Sequence, residues 1–458
     1  MGSGVEPGAR TEEAQPVIIG SGLSGLMVSR ALARAGVRHT LIGGPPNDLP
    51  RLGESLNLEG TLGLLEFFPE LTPYYLTKKL VVGYVGPYVL TCDFNVDDRP
   101  RSRRLLGLLG YTAPKGFLHL DRMGMDAALY RSAVADPLCR QLSGFVTELD
   151  YAADSDRLTT IRLADGSALQ PSYVFDATNH GRLVAKATGL AFEPLSEPLR
   201  TVYTHYHASD HSAGLPQAPW EHSSNLVRLF PESDGIDALS WCIPLGHYVS
   251  IGISVWADAS DLSDEQLLQH AERGYAARGL DYRSRFEEPT TTMSLTHQFF
   301  AHARGYGANW LLVGPSACQI WWMSGSGVGS GVAAAEVAAR VLKDPIGMGR
   351  QYSDYVRMLV NTHRVFDWFA TVRCADVTAG ALAEHADGFI RGNVMRLAKS
   401  DRTRRRPIAR LAGDATYFLA QRRLVARNYC PVVGAALADQ THSVFGSLST
   451  PLVAAPRQ

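Results

Sequence analysis

The chain runs to 458 residues, enough for two or three interleaved lobes and a large core rather than one minimal domain. Its 44 Lys and Arg against 45 Asp and Glu leave a formal net charge of −1, which takes away the long-range cationic field that non-specific nucleic-acid or anionic-membrane binding requires. The six cysteines are scattered, with no CxxC pair to suggest zinc, an iron–sulfur cluster or a redox disulfide, so reduced thiols and a cytoplasmic setting are expected. Lysine is scarce within the basic set, and two of the few, Lys78 and Lys79, are adjacent.

In chain order, residues 1–15 read as a disordered Gly- and Glu-rich tail without the apolar core of a signal peptide. A buried strand at 17–19, a glycine turn, a helix over 23–35 and a second strand at 39–42 make a βαβ-like start to a dinucleotide-binding domain over 16–198. Within it, 49–80 reads as mostly helical. Short alternating runs follow over 81–94, then 117–122 ahead of a helix through 126–135, and strand-turn-strand patterns lead to a buried strand at 173–177. Alternating segments at 201–207, 225–230, 239–244 and 248–255 predict a second, mostly antiparallel sheet over 199–298, the natural substrate domain. The buried-strand pattern returns at 310–313, then a Gly-rich turn and a helix over 331–342, so 299–345 is assigned as the return segment of the first domain. Residues 346–458 read as a helical C-terminal region, with helices over 352–372, 381–397 and 417–428 and, at 401–407, a charged linker or helix end that reads as solvated surface, a phosphate or partner site being the alternative. No charge falls between Arg304 and Glu336, a length able to span a bilayer, but its Gly and Ser content argues for backbone packed tightly against something. The fold class is α/β (α+β): a Rossmann-like domain interleaved with an antiparallel sheet domain.

Gly20-Ser21-Gly22-Leu23-Ser24-Gly25 follows the first strand and opens the helix. In that context the glycines permit a tight turn, close approach of backbone to a pyrophosphate and close helix–sheet packing, while the helix N-terminus favours the negative charge. The acidic residue expected at the end of the second strand to hold an adenosine ribose is missing, and Ile42-Gly43-Gly44-Pro45-Pro46 stands there. Residues 204–211 nearly spell the HxHxDH of metallo-hydrolases, with one residue too many between His207 and Asp210, so no metal site is expected. His205 and His207 instead project from one face of a strand, where one can act as general base for a phenol; a satisfied core or surface histidine is the plain alternative.

Further segments stand in a telling order: Arg51-Leu52-Gly53-Glu54-Ser55-Leu56, then Phe117-Leu118-His119-Leu120-Asp121-Arg122 followed by Asp126, then Phe175-Asp176-Ala177-Thr178-Asn179-His180-Gly181-Arg182, then Leu239-Ser240-Trp241-Cys242-Ile243-Pro244, and the helical run 352–369. With the glycine turn they resemble the FAD-dependent monooxygenase superfamily of p-hydroxybenzoate-hydroxylase-like fold, and within it the flavin-dependent halogenases, over roughly residues 16 to 375. The resemblance implies FAD held by Gly20, Ser21, Gly22, Leu23, Ser24, Gly25, Arg51, Ser55, Arg122, Asp176, Gly314, Gly325, Gly327 and Val328, and a substrate pocket at Trp241, Ile243, Pro244, Trp321 and Trp322. Lys78 and Lys79 lie about as far after the GESL-like segment as the halogenases' active lysine lies after theirs, with Lys79 slightly preferred. Two departures stand out. Pro315 occupies the place of an aspartate that usually holds the ribityl chain, and Gln319, Trp322 and Gly325 replace the usual residues of the following turn.

What the resemblance implies is an oxidoreductase of secondary-metabolite type. Reduced FAD, supplied by a partner flavin reductase using NAD(P)H, reacts with dioxygen to a flavin hydroperoxide; halide attacks it, and the lysine delivers electrophilic halogen to an electron-rich aromatic small molecule, free or on a carrier protein. Two alternatives stay open. One is a monooxygenase, hydroxylase or epoxidase, in which the lysines are incidental. The other is a redox-silent binding protein or non-oxidative cyclase, which the two missing carboxylates keep in play.

Overall fold

Val17, Ile18 and Ile19 are buried on both faces, as a strand flanked by helices on either side demands, and they form the centre of a five-stranded parallel sheet. The order across it is Trp310–Leu312, Val174–Asp176, Val17–Ile19, His39–Ile42 and Cys139–Leu142. The computed structural model describes residues 14–93, 100–208, 223–256, 261–280, 282, 286–422 and 432–435. Helix Leu23–Arg34 crosses from the first strand to the second and packs against helix Ser326–Val341, which follows the edge strand Trp310–Leu312. Two distant parts of the chain thus meet at the carboxyl end of one parallel sheet, where such folds open a crevice.

The second large sheet runs, in order, Phe286–Pro289, Leu199–Ala208, Tyr248–Trp256, Ala238–Pro244, Ser223–Leu229, Leu80–Val85, Tyr88–Asp93 and Val432–Ala435, with Met293–His297 also on Leu199–Ala208. Its pairings are antiparallel except Ser223–Leu229 on Leu80–Val85. Strand alternation sorts its side chains. Val202, Val227, Ile251 and Ile253 go to a core under helix Asp264–Ala276, whereas Tyr203, Trp241 and Ile243 face the nucleotide-binding lobe. A two-stranded ribbon, Tyr75–Lys78 with Phe117–Leu120, leads directly into Leu80–Val85.

Several local expectations change. The stretch 49–80 is helical only at Leu58–Phe67, capped by Asn57, and in the short 3-10 turn Pro69–Tyr74; Pro69 and Pro73 interrupt it, and pairing with Phe117–Leu120 makes Tyr75–Lys78 a strand. The helix expected at 331 begins at Ser326, because packing outweighs the poor helix propensity of Gly327 and Gly329. The helix read over 352–372 is two, Pro345–Arg357 and Leu359–Thr371, meeting at Met358. The charged run at 401–407 takes the helix-end form: Asp401–Arg405 is a helical turn and the residues from Arg404 to Pro407 are exposed, but Asp401 and Thr403 are buried, Asp401 pairing with Arg340 and Arg405 and accepting from Gln351 at 3.0 Å. Part of the predicted 417–428 helix, 423–428, lies outside the described residues, as do 1–13; the helix that is described there is Pro407–Gln421. Among the described residues no helix is long and apolar enough to cross a membrane.

Candidate active site

The nucleotide end is built by backbone. Gly20 has φ +108°, and a Cβ at Gly25 would sit 1.9 Å from the Gly20 carbonyl oxygen, so only glycine closes this turn. Gly22 differs: nothing lies within 4 Å of where its Cβ would be, and with Leu23 and Ser24 it lines a cleft of about 450 Å³. Helix Leu23–Arg34 and helix Ser326–Val341 both begin without a side-chain cap from their N-cap residues, Gly22 and Gly325, and both open on this cleft. Uncapped N–H groups and the positive dipole ends suit an anionic or carbonyl-rich ligand.

Arg51, Ser55, Arg122, Gly325, Gly327 and Val328 all line the cleft. Arg122 is committed to holding structure, with bonds to Asp126 of 3.0 and 2.9 Å and one to the Leu52 carbonyl. Arg51 is the freer cation: it reaches Asp126 at 3.4 Å and the Asn47 carbonyl at 2.9 Å, but its buried Nε has no partner among the described residues. Gln319 Oε1 on the same wall is likewise buried and unpartnered. A polar ligand fits these orphaned atoms.

Five predicted cofactor residues do not face the cleft. Gly20 and Gly25 serve the turn itself, and Ser21 Oγ donates to the Gly44 carbonyl at 2.6 Å, tying the turn to the loop that lacks the ribose acid. Asp176 is fully enclosed by its own turn, accepting from the Thr178 N–H and hydroxyl at 2.9 and 2.6 Å and from the Val184 N–H at 2.8 Å, and burial raises its pKa. Gly314 also stands behind the wall, its N–H donating to the Tyr352 hydroxyl at 2.9 Å, and Pro315 presents its ring instead.

The lysine pair divides as strand alternation requires. Lys78 is 3% exposed and its Nζ donates to Ser55 Oγ at 2.9 Å and to the Leu56 carbonyl, above the Phe117 ring; Lys79 points to solvent. Of the pair it is Lys78, not the slightly preferred Lys79, that the fold turns inward. Lys78 lines a second, smaller cavity of about 90 Å³, walled mainly by apolar groups such as Val85, Leu90, Phe366, Phe369 and Phe389. The two cavities share Ser55, Ile243, Trp322, Ser324 and Gly325.

Trp322 lines both cavities, its Nε1 donating to Ser254 Oγ at 2.9 Å and its ring 4.5 Å from Trp241. Trp321 anchors the turn to the C-terminal helices by donating to Asp367 at 3.3 Å and packing 4.6 Å from Phe299. Trp241, Ile243 and Trp321 also line the large cleft, but Pro244 lines neither cavity; it ends its strand, paired with Val249. His205 is buried against Glu54, Nε2 to Oε1 2.8 Å, while His207 is exposed. Asp210 and His211 of the near metal motif lie outside the described residues; among the described residues no group of three His, Cys, Asp or Glu stands ready to hold a metal. The sequence reading missed Ser224, His119 and the helical phenylalanines of the small cavity. His119 stood inside a quoted motif, but nothing in the sequence marks Ser224.

No protein-family model matches the chain. A bifunctional protein of tRNA 5-methylaminomethyl-2-thiouridine biosynthesis from Chromohalobacter salexigens is 31% identical over 224 residues, 41% of this chain and 31% of that one. Tetracycline 7-halogenase of Kitasatospora aureofaciens is 24% identical over 295 residues, 56% of this chain and 50% of that one. The chain thus spans only a third to a half of the length of these curated relatives. Among solved structures, a flavoprotein/dehydrogenase from Cytophaga hutchinsonii superposes with TM-score 0.62 at 16% identity, covering 90% of this chain and 99% of that one. A flavin-dependent halogenase from Brevundimonas sp. BAL3 gives TM-score 0.60 at 14% identity, with 90% and 97% covered. A probable FAD-dependent monooxygenase from Pseudomonas aeruginosa gives 0.56 at 14%, with 78% and 97% covered. The fold is that of the flavin-dependent halogenases and FAD-dependent monooxygenases.

Proposed function

We propose that the protein is an FAD-dependent oxidoreductase that halogenates a small electron-rich aromatic compound. The observation that carries this reading is Lys78: a buried amine in the wall of an apolar cavity that adjoins, through shared residues, a cleft fitted for a dinucleotide. Gly22, Leu23, Ser24 and Arg51 would hold the pyrophosphate, and the helix start at Gly325, Gly327 and Val328 would meet the flavin ring. Bound reduced FAD supplies the electrons with which dioxygen turns halide into hypohalous acid. A partner flavin reductase using NAD(P)H is the proposed source of reduced cofactor, since no second glycine fingerprint is visible in the sequence.

The chain's own residues then do three things. Trp322, Ile243 and Gly325 belong to the walls of both cavities and would form the partition that a small oxidant crosses while aromatic substrate and flavin stay apart. The phenylalanines Phe366, Phe369 and Phe389 exclude water and favour a flat apolar substrate. Lys78 meets the oxidant with its amine, in a site dry enough that its hydrogen bond carries full weight.

A second reading, direct oxygen transfer to the substrate, is favoured by the shared wall itself, which leaves the cavities adjacent without requiring the lysine. One experiment separates the readings. Protein given reduced FAD, oxygen and bromide with a phenol, indole and pyrrole panel is analysed by mass spectrometry. Halogenated products that vanish in Lys78→Ala support the first reading; products that gain oxygen with or without bromide support the second. A colourless protein whose melting temperature FAD does not move sinks both and leaves the redox-silent alternative.

A further inference from the structure

Three short hydrogen bonds run from the lysine along the cavity wall, through Ser55 and Ser224, to His119 behind it. Lys78 Nζ is 2.9 Å from Ser55 Oγ, Ser55 Oγ is 2.6 Å from Ser224 Oγ, and Ser224 Oγ is 2.9 Å from His119 Nε2. The four residues come from separate pieces of chain. Lys78 ends one ribbon strand, His119 lies in the other, Ser55 bridges to His119 from the preceding loop, and Ser224 opens a strand of the large sheet. Lys78, His119 and Ser224 are each no more than 3% exposed.

We propose that Ser55, Ser224 and His119 form a proton relay that takes a proton from the Lys78 ammonium and returns it, so that the lysine presents a neutral amine to electrophilic halogen. The proposal rests on the reading of Lys78 as the halogen-transferring residue. Its chemistry follows from the donors. An ammonium has no lone pair and cannot accept halogen, and its charge is costly in an apolar wall. The ammonium donates to Ser55 Oγ, the Ser55 hydroxyl to Ser224 Oγ, and the Ser224 hydroxyl to the lone pair of His119 Nε2 when the imidazole proton is on Nδ1, a tautomer assigned from this network. One concerted shift along these bonds leaves Lys78 neutral and His119 protonated, with both hydroxyls restored.

The neutral amine and hypohalous acid then form an N–halogen bond and water. Attack by the aromatic ring breaks that bond, places halogen on carbon and returns the ring's proton to the amine, so no electrons beyond those of the hypohalous acid are needed. Other charged groups around the relay are engaged elsewhere. Glu54 is held by His205, Glu59 by Arg396, Arg228 by Asp237 and Arg122 by Asp126, while Asp121 caps the next helix and Lys79 faces solvent. None of these is placed to take the relay's proton.

The test uses two assays on the full chain. With reduced FAD, oxygen, bromide and a phenol that turns over, Ser224→Ala is expected to lower kcat about a hundredfold with KM unchanged, the usual scale of lost acid–base assistance. Ser224→Thr, which keeps a hydroxyl, is expected to stay near wild type, and Ser55→Ala to repeat the loss if Ser224→Ala folds poorly. In the second assay, hypochlorite alone, without flavin or substrate, is expected to place one chlorine on Lys78 of the wild type, seen by peptide mass and removed by thiol, and to do so far more slowly in the alanine variants. Equal chlorination of Lys78 in wild type and variants overturns the relay, as does a kcat loss that Ser224→Thr fails to restore. Hydroxyl-dependent chlorination in a protein that makes no halogenated product from flavin, oxygen and halide keeps the relay and overturns the halogenase reading alone.

Discussion

His205 Nε2 lies 2.8 Å from Glu54 Oε1, and both side chains are almost wholly removed from water. The contact ties the second strand of the large sheet to the loop that lies between the two cavities. The Glu54 carbonyl is fixed separately, accepting from the Leu120 N–H at 2.7 Å. With Glu54 turned to His205, the next side chain, Ser55, turns the other way to Lys78. His205 lines neither cavity and is engaged by Glu54, the geometry of a clasp between sheet and loop. His205→Ala leaves a buried carboxyl without its partner and is expected to cost about 1–3 kcal/mol, read as a lower urea midpoint. His205→Gln, which keeps a donor, is expected to cost less and to retain turnover, an outcome a general base would not allow.

The two adjacent lysines are expected to behave oppositely. Lys78→Ala removes the only described amine in the small cavity and is expected to lower halogenation by about a hundredfold or more while FAD binding stays intact. Lys79→Ala changes an exposed side chain and is expected to leave both turnover and stability within about 0.5 kcal/mol of wild type. Product mass and thermal unfolding of the two variants measure this directly, and a swap of the two phenotypes would restore the original preference for Lys79.

The sequence displayed the backbone site better than the side-chain site. The glycine turn at 20–25 was legible because a tight strand-to-helix turn demands glycine at set spacings, whatever surrounds it. Motif register located the lysine pair but not which member faces inward. That choice depends on Tyr75–Lys78 being a strand, which is a tertiary pairing with Phe117–Leu120 that local apolar content at 49–80 disguised as helix. Ser224 was invisible for a different reason: its importance lies in two hydrogen bonds with residues more than a hundred positions away, and a lone serine has no periodicity. Asp176 looked like a ligand because a carboxylate beside a glycine-containing turn can be one, yet its three bonds are all to its own turn.

The glycines of the first turn should separate folding from cofactor binding. Gly25→Ala drives a methyl into the Gly20 carbonyl and is expected to lower the melting temperature as well as abolish FAD binding. Gly22→Ala meets nothing in the protein and is expected to keep the melting temperature of the FAD-free chain, but its methyl enters the cleft where a phosphate would approach the backbone. Flavin fluorescence titration beside a thermal scan distinguishes the two. FAD binding by Gly22→Ala with wild-type affinity would move the pyrophosphate elsewhere in the cleft.

His297, on the cleft wall, carries a pH signature. Burial, and after it the neighbouring His180, push its pKa down to about 4 from the ordinary 6.5. Between those values the unfolded chain binds a proton at this residue and the folded chain does not, so stability falls as pH drops from about 6.5 to about 4 and is unaffected by His297 above that window. The loss attributable to this one residue is at most about 3.5 kcal/mol, from about 1.4 kcal/mol for each unit of separation. His297→Gln can keep the 2.9 Å bond now made to Thr201 Oγ1 while removing the titration. Unfolding free energies of wild type and variant are therefore expected to run parallel above pH 7 and to diverge below it, with the wild type falling faster. Parallel curves down to pH 4 would mean that His297 takes up its proton in the folded protein as readily as in the unfolded one, and that the cleft wall is wetter than its 8% exposure implies.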